Sequence, residues 1–465
     1  SMTFTLNGQV VTVNNIDPHM TLLSWLRSSG LTGSKEGCGE GECGACAVML
    51  LRPEKQGSHY ESVNGCLLLL ASLANQELWT VEGLSQQGQL HPTQEAMLQG
   101  GSQCGYCTPG FVVSMAAEYY RKDREGFDIE ALSGNLCRCT GYRPIKDATE
   151  SLGKPSADDA LAKRLEHPAP TPQSFNYVSR DTAFFRPTSL SELFDTLARH
   201  SEAKLVAGGT DWVVEVNQRF SRAKTQISID QLPELKTFSW QDDFVEMGAG
   251  LTLSELEHLL ENRIPIMSEW FPKFASKLIR NRATLGGNIG TASPIGDSPP
   301  VLLALDASLV LVRKADERIV KLSNFFTGYR ETVLQAGEII KAVRVPLPLP
   351  TTTRFYKVCK RPMDDISTVA FGLALGREAD PDKLNTVKTI RIGLGGVPAT
   401  PDRAYKTEAI LVGKDWNERN VRLASEVIKT EFQPIDDHRG SAAYRVAMLG
   451  KLLEKAFVET SEVPA

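Results

Sequence analysis

The placement of nine cysteines constrains this chain more than any other feature. They are Cys38, Cys43, Cys46, Cys66, Cys104, Cys107, Cys137, Cys139 and Cys359, so eight fall in the first 140 of 465 residues. A disulfide framework needs an oxidising, secretory setting. The sequence opens without a charged-then-apolar leader, and Ser1 before Met2 reads as the scar of a removed tag. The densest apolar stretch, Cys66 to Ala74, is about half of a membrane span. The expectation is a cytoplasmic chain whose clustered cysteines serve metal or redox chemistry. Lys plus Arg number 51 against 56 Asp plus Glu, a net charge of −5, which gives no pull toward nucleic acid or an anionic membrane.

The first cysteine group reads Cys38-x4-Cys43-x2-Cys46, then Cys66 after 19 further residues. That is the spacing of plant-type [2Fe-2S] ferredoxins. Three thiolates from one short loop must converge on a small cluster, so the backbone has to wrap tightly. Gly37, Gly39, Gly41 and Gly44 are expected to supply the positive φ angles for that wrap. They also let amide N–H groups approach the sulfurs. A structural zinc site is the alternative, although zinc sites favour paired CxxC-like knuckles. The second group is Cys104-x2-Cys107 and Cys137-x-Cys139, with 29 residues between. Cys-x-Cys suits two thiolates on one iron, and on its own this group stays open between a cluster and zinc. Cys359 reads as an inert, buried thiol. None of the seven histidines forms HExxH or a close pair, so nothing supports catalytic zinc.

Local patterns divide the chain. Asn7-Gly8 between short β-rich runs marks a hairpin over Phe4 to Val13. Thr21 to Ser29 has a helical apolar face and ends at Gly30. Glu77 to Val81 reads as a closing strand, so a sheet with one crossing helix is expected. Between about 83 and 150, Pro92, Pro109 and Asp128 mark helix starts, and Phe111, Val112, Met115 and Tyr119 recur at helical spacing. Prolines 155, 168, 170 and 172 then mark a surface linker. Further on, Lys204 to Ala207 and Phe244 to Gly250 read as strands, with Ser254 and Glu257 as a capping box. Thr389 to Leu394 reads as a strand, and Asn420 to Phe432 and Ala442 to Val458 as helices.

With both cysteine groups in view, the stretches SKEGCGEGECGACAV, SQCGYCTPGFVVSM and GNLCRCTGYRPI resemble the iron–sulfur region of the molybdenum hydroxylases, the xanthine dehydrogenase and aldehyde oxidase family. The resemblance covers all eight clustered cysteines. It implies an α+β multidomain protein: a β-grasp ferredoxin-like [2Fe-2S] domain over 1–82, a helical [2Fe-2S] domain over 83–155, a linker over 156–178, an α/β FAD-binding domain over 179–350 and an α+β C-terminal flavoprotein domain over 351–465. It further implies that Gln103 and Cys139 face the pterin of a partner subunit.

Two glycine-rich stretches follow, Lys204 to Asp211 (KLVAGGTD) and Thr284 to Asp297 (TLGGNIGTASPIGD). Each reads as a strand entering a glycine turn with exposed N–H groups, a way to hold a diphosphate, although generic turns look the same. Neither matches GxGxxG, and Gly393 to Pro398 breaks that pattern too. They resemble the family's FAD contacts. On that resemblance Lys204, Leu205, Val206, Ala207, Gly208, Gly209, Thr210 and Asp211 wrap the diphosphate. Phe274, Thr284, Asn288 and Asp297 lie along the flavin, with Ile340 and Lys357 as later contacts. Phe274 read alone is equally a core residue of a helix. The loop Arg361 to Ile366 resembles the one near the nicotinamide site. Arg280 and Arg282 read as surface charges or as a draw for an anionic acceptor.

The resemblance implies the electron-transfer subunit of a xanthine dehydrogenase of the two-subunit bacterial kind, with no catalytic residue of its own for substrate oxidation. A molybdopterin-binding large subunit would oxidise hypoxanthine or xanthine. Electrons would pass through two [2Fe-2S] clusters to FAD and then NAD⁺, in an assembly of two small and two large subunits. An aldehyde- or N-heterocycle-oxidising relative and a stand-alone iron–sulfur flavin reductase are the alternatives.

Overall fold

The computed structural model describes residues 1–293, 295–359, 369–434 and 441–461. They form two compact units, one of residues 1–233 with 276–283, the other of 234–275 with 284–465. The Arg361 to Ile366 loop lies outside the described residues.

The first unit starts with the expected hairpin. Asn7 and Gly8 take φ of 52° and 83°, the pair of positive values a tight two-residue turn needs, and join strands Met2–Leu6 and Gln9–Val13. The five-stranded sheet runs Gln9–Val13, Met2–Leu6, Glu77–Trp79, Ala47–Pro53, Ser58–Asn64, with only the Met2–Leu6 and Glu77–Trp79 pair parallel. The helix Leu22–Ser28 is capped by the Thr21 hydroxyl and buries Leu22, Leu23 and Leu26.

The strand Ala47–Pro53 is apolar at five successive positions because both its faces are covered. Val48 and Leu50 pack with the Leu22–Ser28 helix in one core, while Ala47, Met49 and Leu51 pack in a second core with Phe111, Val112 and Met115. Alternate side chains of a strand point to opposite faces, so one strand serves two cores. The helical region therefore sits on the back of this sheet. It contains helices Pro92–Leu98, Thr108–Tyr119 and Arg143–Glu150. Asp128 starts a 3-10 turn, Ile129–Leu132, rather than an α-helix, because Ser133-Gly134 ends the run almost at once.

The proline-bearing stretch after Glu150 is tethered rather than loose. Asp159 caps the helix Ala160–Arg164, and Leu161 and Leu165 are buried in the second core. Strand Phe175–Val178 then opens a sheet ordered Phe175–Val178, Ala183–Arg186, Thr225–Ser228, Lys204–Val206.

The second unit has an antiparallel five-stranded sheet built from Phe238–Trp240, Phe244–Gly248, Ile339–Pro346, Ser308–Arg313 and Asp316–Lys321. A four-stranded antiparallel sheet, Thr352–Val358, Val369–Arg377, Val387–Gly395 and Asp402–Arg403, shares a core with helices Glu418–Glu431 and Ala442–Thr460. Gly393, in the GxGG run, is a packing seat: a Cβ there would lie 2.2 Å from the Pro300 carbonyl oxygen. The capping box is two residues earlier than expected. Thr252 and Glu255 form it, since burying Leu253 and Leu256 on one face starts the helix at Leu253. No helix among the described residues is long and apolar enough to cross a membrane.

One buried polar chain ties the helical region together. The Thr93 N–H donates to His91 Nδ1 (3.2 Å), so Nε2 carries the proton and donates to the Tyr120 hydroxyl (2.7 Å). Tyr120 in turn donates to Asp159 (2.7 Å). Burial, opposed by Asp159, holds the His91 pKa down to about 4. A histidine buried neutral contributes stability that is complete above its unfolded pKa of about 6.5 and is lost as pH falls toward its folded value. Urea unfolding between pH 7 and pH 4 should show a loss on the order of 3 kcal/mol from this group. A His91→Gln variant should flatten that slope, and an unchanged slope would count against the chain's role.

Candidate redox centres

The loop after Leu31 carries three of the first four cysteines, and the 3-10 turn Gly65–Leu67 carries the fourth. Cys46 and Cys66 are buried, Cys38 and Cys43 half-buried. Amide N–H groups of Glu40, Glu42 and Cys43 point at Cys38 Sγ, at 3.4, 3.2 and 3.4 Å. These are the donors an anionic sulfur requires. Gly39, Gly41 and Gly44 have positive φ, but Gly37 does not. Gly37 is needed for a different reason: a Cβ there would stand 2.6 Å from Cys43 Sγ.

The sulfurs of the first group meet in pairs, Cys38 with Cys43 and with Cys66, and Cys46 with Cys66. The neighbouring thiols of Cys43 and Cys66, with the amide donors, hold Cys38 far below the ordinary thiol range. Cys38 and burial push Cys43 far up. Cys66 lowers Cys46, while Cys38 and Cys46 raise Cys66. In the second group Cys104 pairs with Cys139, and Cys107 with Cys137, so each partner comes from the other loop. Burial and the Cys137 thiol push Cys107 up to about 12. Against its own burial, the Thr140 hydroxyl and nearby amides hold Cys137 down to about 7. Among the described residues no group of three or more His, Cys, Asp and Glu side chains is placed to hold one metal ion. Sulfurs meeting in pairs, with amide donors aimed at them, fit a two-iron cluster, which takes two thiolates on each iron.

The two groups touch through backbone. The Leu136 N–H donates to the Cys43 carbonyl (2.9 Å), and Asn135 Nδ2 to the Gly44 carbonyl (3.2 Å). A Cβ on Gly44 would sit 2.2 Å from the Gly134 carbonyl oxygen, and one on Gly110 would sit 2.3 Å from that of Gly44. Gly110, Gly134 and Asn135 were not singled out from the sequence. Their only signal was adjacency to cysteines, since a glycine required by a distant carbonyl looks like any other. The second group is the more open. Gln103, Cys104, Gly105, Tyr106, Arg138, Cys139, Tyr142 and Arg143 are all exposed.

The stretch 204–211 belongs to the first unit. Strand Lys204–Val206 ends in the turn, and helix Trp212–Arg219 follows directly. Lys204 is exposed with its ammonium 5.1 Å from the Trp212 ring centre, Leu205 and Ala207 are half-buried, and Val206 is buried. Gly208 lies against the Arg282 carbonyl oxygen, 1.9 Å from where a Cβ would be. Gly209 has φ of 76° and packs on the Leu67 carbonyl, beside Cys66. Among the described residues the N–H groups of Gly208, Gly209 and Thr210 donate to no backbone carbonyl. Asp211 is exposed and makes no side-chain cap bond. Such a turn leaves amide donors for a diphosphate. Arg280 and Arg282 are neither surface charges nor a lure for an acceptor. Both are buried; Arg280 pairs with Glu130, and Arg282 faces Asp230 at 3.8 Å.

The stretch 284–297 belongs to the second unit and is not a strand entering a turn. Thr284 caps a short helix, Leu285–Gly290, accepting from Gly287 N (3.0 Å). Asn288 accepts from Ser298, next to Asp297. Asp297 is ion-paired with Lys357 (2.8 Å), both side chains about 5% exposed. Lys357 also donates to the Lys273 carbonyl (2.8 Å), next to Phe274. Phe274 follows the 3-10 turn Phe271–Lys273 and is half-buried, edge-on to Trp270 with 5.6 Å between ring centres, so it is not a helix-core residue. Ile340 is buried on its strand, 4.0 Å from the Cβ position of Gly290. Phe274, Asn288, Asp297 and Lys357 thus form one connected constellation, with Thr284 at its helix start.

Four family models match in order along the chain. They are a 2Fe-2S iron-sulfur cluster binding domain over 4–70, a [2Fe-2S] binding domain over 80–150, an FAD binding domain in molybdopterin dehydrogenase over 175–348 and a CO dehydrogenase flavoprotein C-terminal domain over 354–460. Xanthine dehydrogenase of Emericella nidulans is 31% identical over 482 residues, covering 89% of this chain and 35% of the relative. Xanthine dehydrogenase 1 of Arabidopsis thaliana is 33% identical over 503 residues, covering 91% of this chain and 37% of the relative. The chain therefore spans little more than a third of the length of these relatives. Among solved structures, a chain of carbon monoxide dehydrogenase from Hydrogenophaga pseudoflava is similar with a TM-score of 0.56 and 29% identity, covering 61% of this chain and 98% of that one. With two [2Fe-2S] domains and an FAD-binding domain, the chain belongs to the molybdenum hydroxylase family.

Proposed function

We propose that this chain is the electron-transfer subunit of a xanthine dehydrogenase, receiving electrons from a molybdopterin-bearing partner and delivering them to NAD⁺. The observation that carries this reading is the order of contacts in the first unit. The exposed thiols of Cys104 and Cys139 open to solvent, the second cysteine group meets the first through Leu136 and Cys43, and Leu67 beside Cys66 meets Gly209 of the glycine turn. That order suits entry at Cys104 and Cys139 and exit at the flavin. Xanthine is the substrate favoured by the names of the relatives.

In this reading Cys38, Cys43, Cys46 and Cys66 hold one cluster, and Cys104, Cys107, Cys137 and Cys139 the other. The amides aimed at Cys38 stabilise the extra negative charge of the reduced state. Lys204 to Asp211 offer amides to the FAD diphosphate, with Gly208 and Gly209 keeping the turn low. Thr284, Asn288, Asp297, Phe274, Ile340 and Lys357 line the flavin, where the Lys357 ammonium is already neutralised by Asp297. Bound flavin supplies the conversion between one-electron and two-electron chemistry. The chain's own work is to orient and shield these groups. Cytoplasmic location belongs to the same reading.

With its molybdopterin partner, the anaerobic protein should bleach on adding xanthine to most of the level reached with dithionite. Bleaching by dithionite alone, with the molybdenum site loaded, would sink the xanthine assignment, and aldehydes and other N-heterocycles would be tried next. Cys43→Ser should remove one cluster's visible and EPR signals while FAD stays bound, and an unchanged cluster spectrum would overturn the ligand assignment. Lys357→Met should cost about 3–5 kcal/mol, because it leaves a buried carboxylate without its lysine. Adding Asp297→Asn should recover most of that loss in urea unfolding.

A further inference from the structure

The helix Trp212–Arg219 begins at the glycine turn and ends at the first cysteine loop. Near its C-terminal end, Asn217 Nδ2 donates to two carbonyls, those of Gly39 (2.9 Å) and Cys66 (2.8 Å). An amide nitrogen carries two hydrogens, so both are used. The reverse orientation of the amide would set its oxygen against two carbonyl oxygens, which fixes the assignment. The next residue, Gln218, donates through Nε2 to the Cys38 carbonyl (2.9 Å). Three carbonyls are therefore held by two adjacent side chains. They come from the two segments, far apart in sequence, that bring Cys38 and Cys66.

We propose that Asn217 and Gln218 are positioning residues that set the redox potential of the first cluster from the flavin side. This rests on the reading that Cys38, Cys43, Cys46 and Cys66 hold a cluster. Asn217 staples the Cys38 loop to the Cys66 turn, and so fixes the separation of their sulfurs. Gln218 fixes the Cys38–Gly39 peptide unit, at the start of the loop whose Glu40, Glu42 and Cys43 amides reach Cys38 Sγ. Both side chains also place N–H donors against the backbone at Cys38, Gly39 and Cys66, beside a site that becomes more negative on reduction. Removing them should make the first cluster harder to reduce. The same helix carries the glycine turn at its other end, so the flavin site and the cluster share one rigid element. Asn217 is half-buried and Gln218 exposed, so neither is needed to fill a core.

The test is an EPR-monitored redox titration of the cluster- and FAD-loaded chain. Cys43→Ser identifies which signal belongs to the first cluster. Asn217→Leu should then lower the reduced-to-oxidised ratio of that cluster about tenfold at fixed potential, about 59 mV for one electron. The second cluster's midpoint and the FAD content should stay at wild-type values. Gln218→Leu should shift the same signal in the same direction by less, and it decides the matter if Asn217→Leu does not fold. An unmoved first-cluster midpoint would overturn the proposal. So would both clusters shifting together with loss of FAD, which marks a loosened fold rather than a tuned site. If Cys43→Ser removes no signal, the ligand reading fails, and the proposal with it.

Discussion

The contact of Gly44 with Gly134 and Gly110 is the constraint on which the rest of the first unit depends. At that point two cysteine-bearing loops approach until only backbone separates them. Cys43 lies on one side of the contact and Cys137 is one residue beyond Leu136 on the other. A side chain between the loops could adopt several rotamers and so leave their distance loose. Backbone against backbone, closed by the Leu136 hydrogen bond, allows one separation. The strand that leaves Cys46 then enters both cores at once, through Val48 and Leu50 on one face and Ala47, Met49 and Leu51 on the other. The cysteine loop is thereby anchored to both packed layers.

Much of this was legible in the sequence, because the chemistry leaves short-range marks. The spacing Cys38-x4-Cys43-x2-Cys46, the Asn7-Gly8 turn and the Thr21-capped helix are all decided within a few residues of themselves. The features that local pattern misplaces are decided by distant partners. Gly37 looks like a conformational glycine in the sequence, but what it yields to is the Cys43 sulfur. Arg280 and Arg282 looked like surface charge until Glu130 and Asp230, far away in sequence, met them. The glycines of 284–297 look locally like a turn after a strand, whereas Thr284 caps a helix there. The box expected at Ser254 and Glu257 falls at Thr252 and Glu255, since the buried leucines set the register. Local propensity proposes such elements, and packing chooses their phase.

The two cysteine groups also differ in how much protein surrounds them, and this bears on what each is for. In the first group two thiols are buried and carbonyls, amides and the Asn64 side chain crowd the rest. In the second, Cys104 and Cys139 stand at the surface, flanked by the exposed rings of Tyr106 and Tyr142 and by Arg138 and Arg143. An exposed thiolate pair pays no desolvation cost until something covers it, whereas an enclosed one must be stabilised by the chain itself through fixed N–H donors. The first group is accordingly finished by its own fold, down to three amides on one sulfur. The second keeps two of its four thiols in open surroundings. A covering surface would exclude water from Cys104 and Cys139 and so change the charge balance there. Contact would thus alter the site at which, on the proposed reading, electrons enter, while the enclosed group beside the Gly208-Gly209 turn keeps its own surroundings.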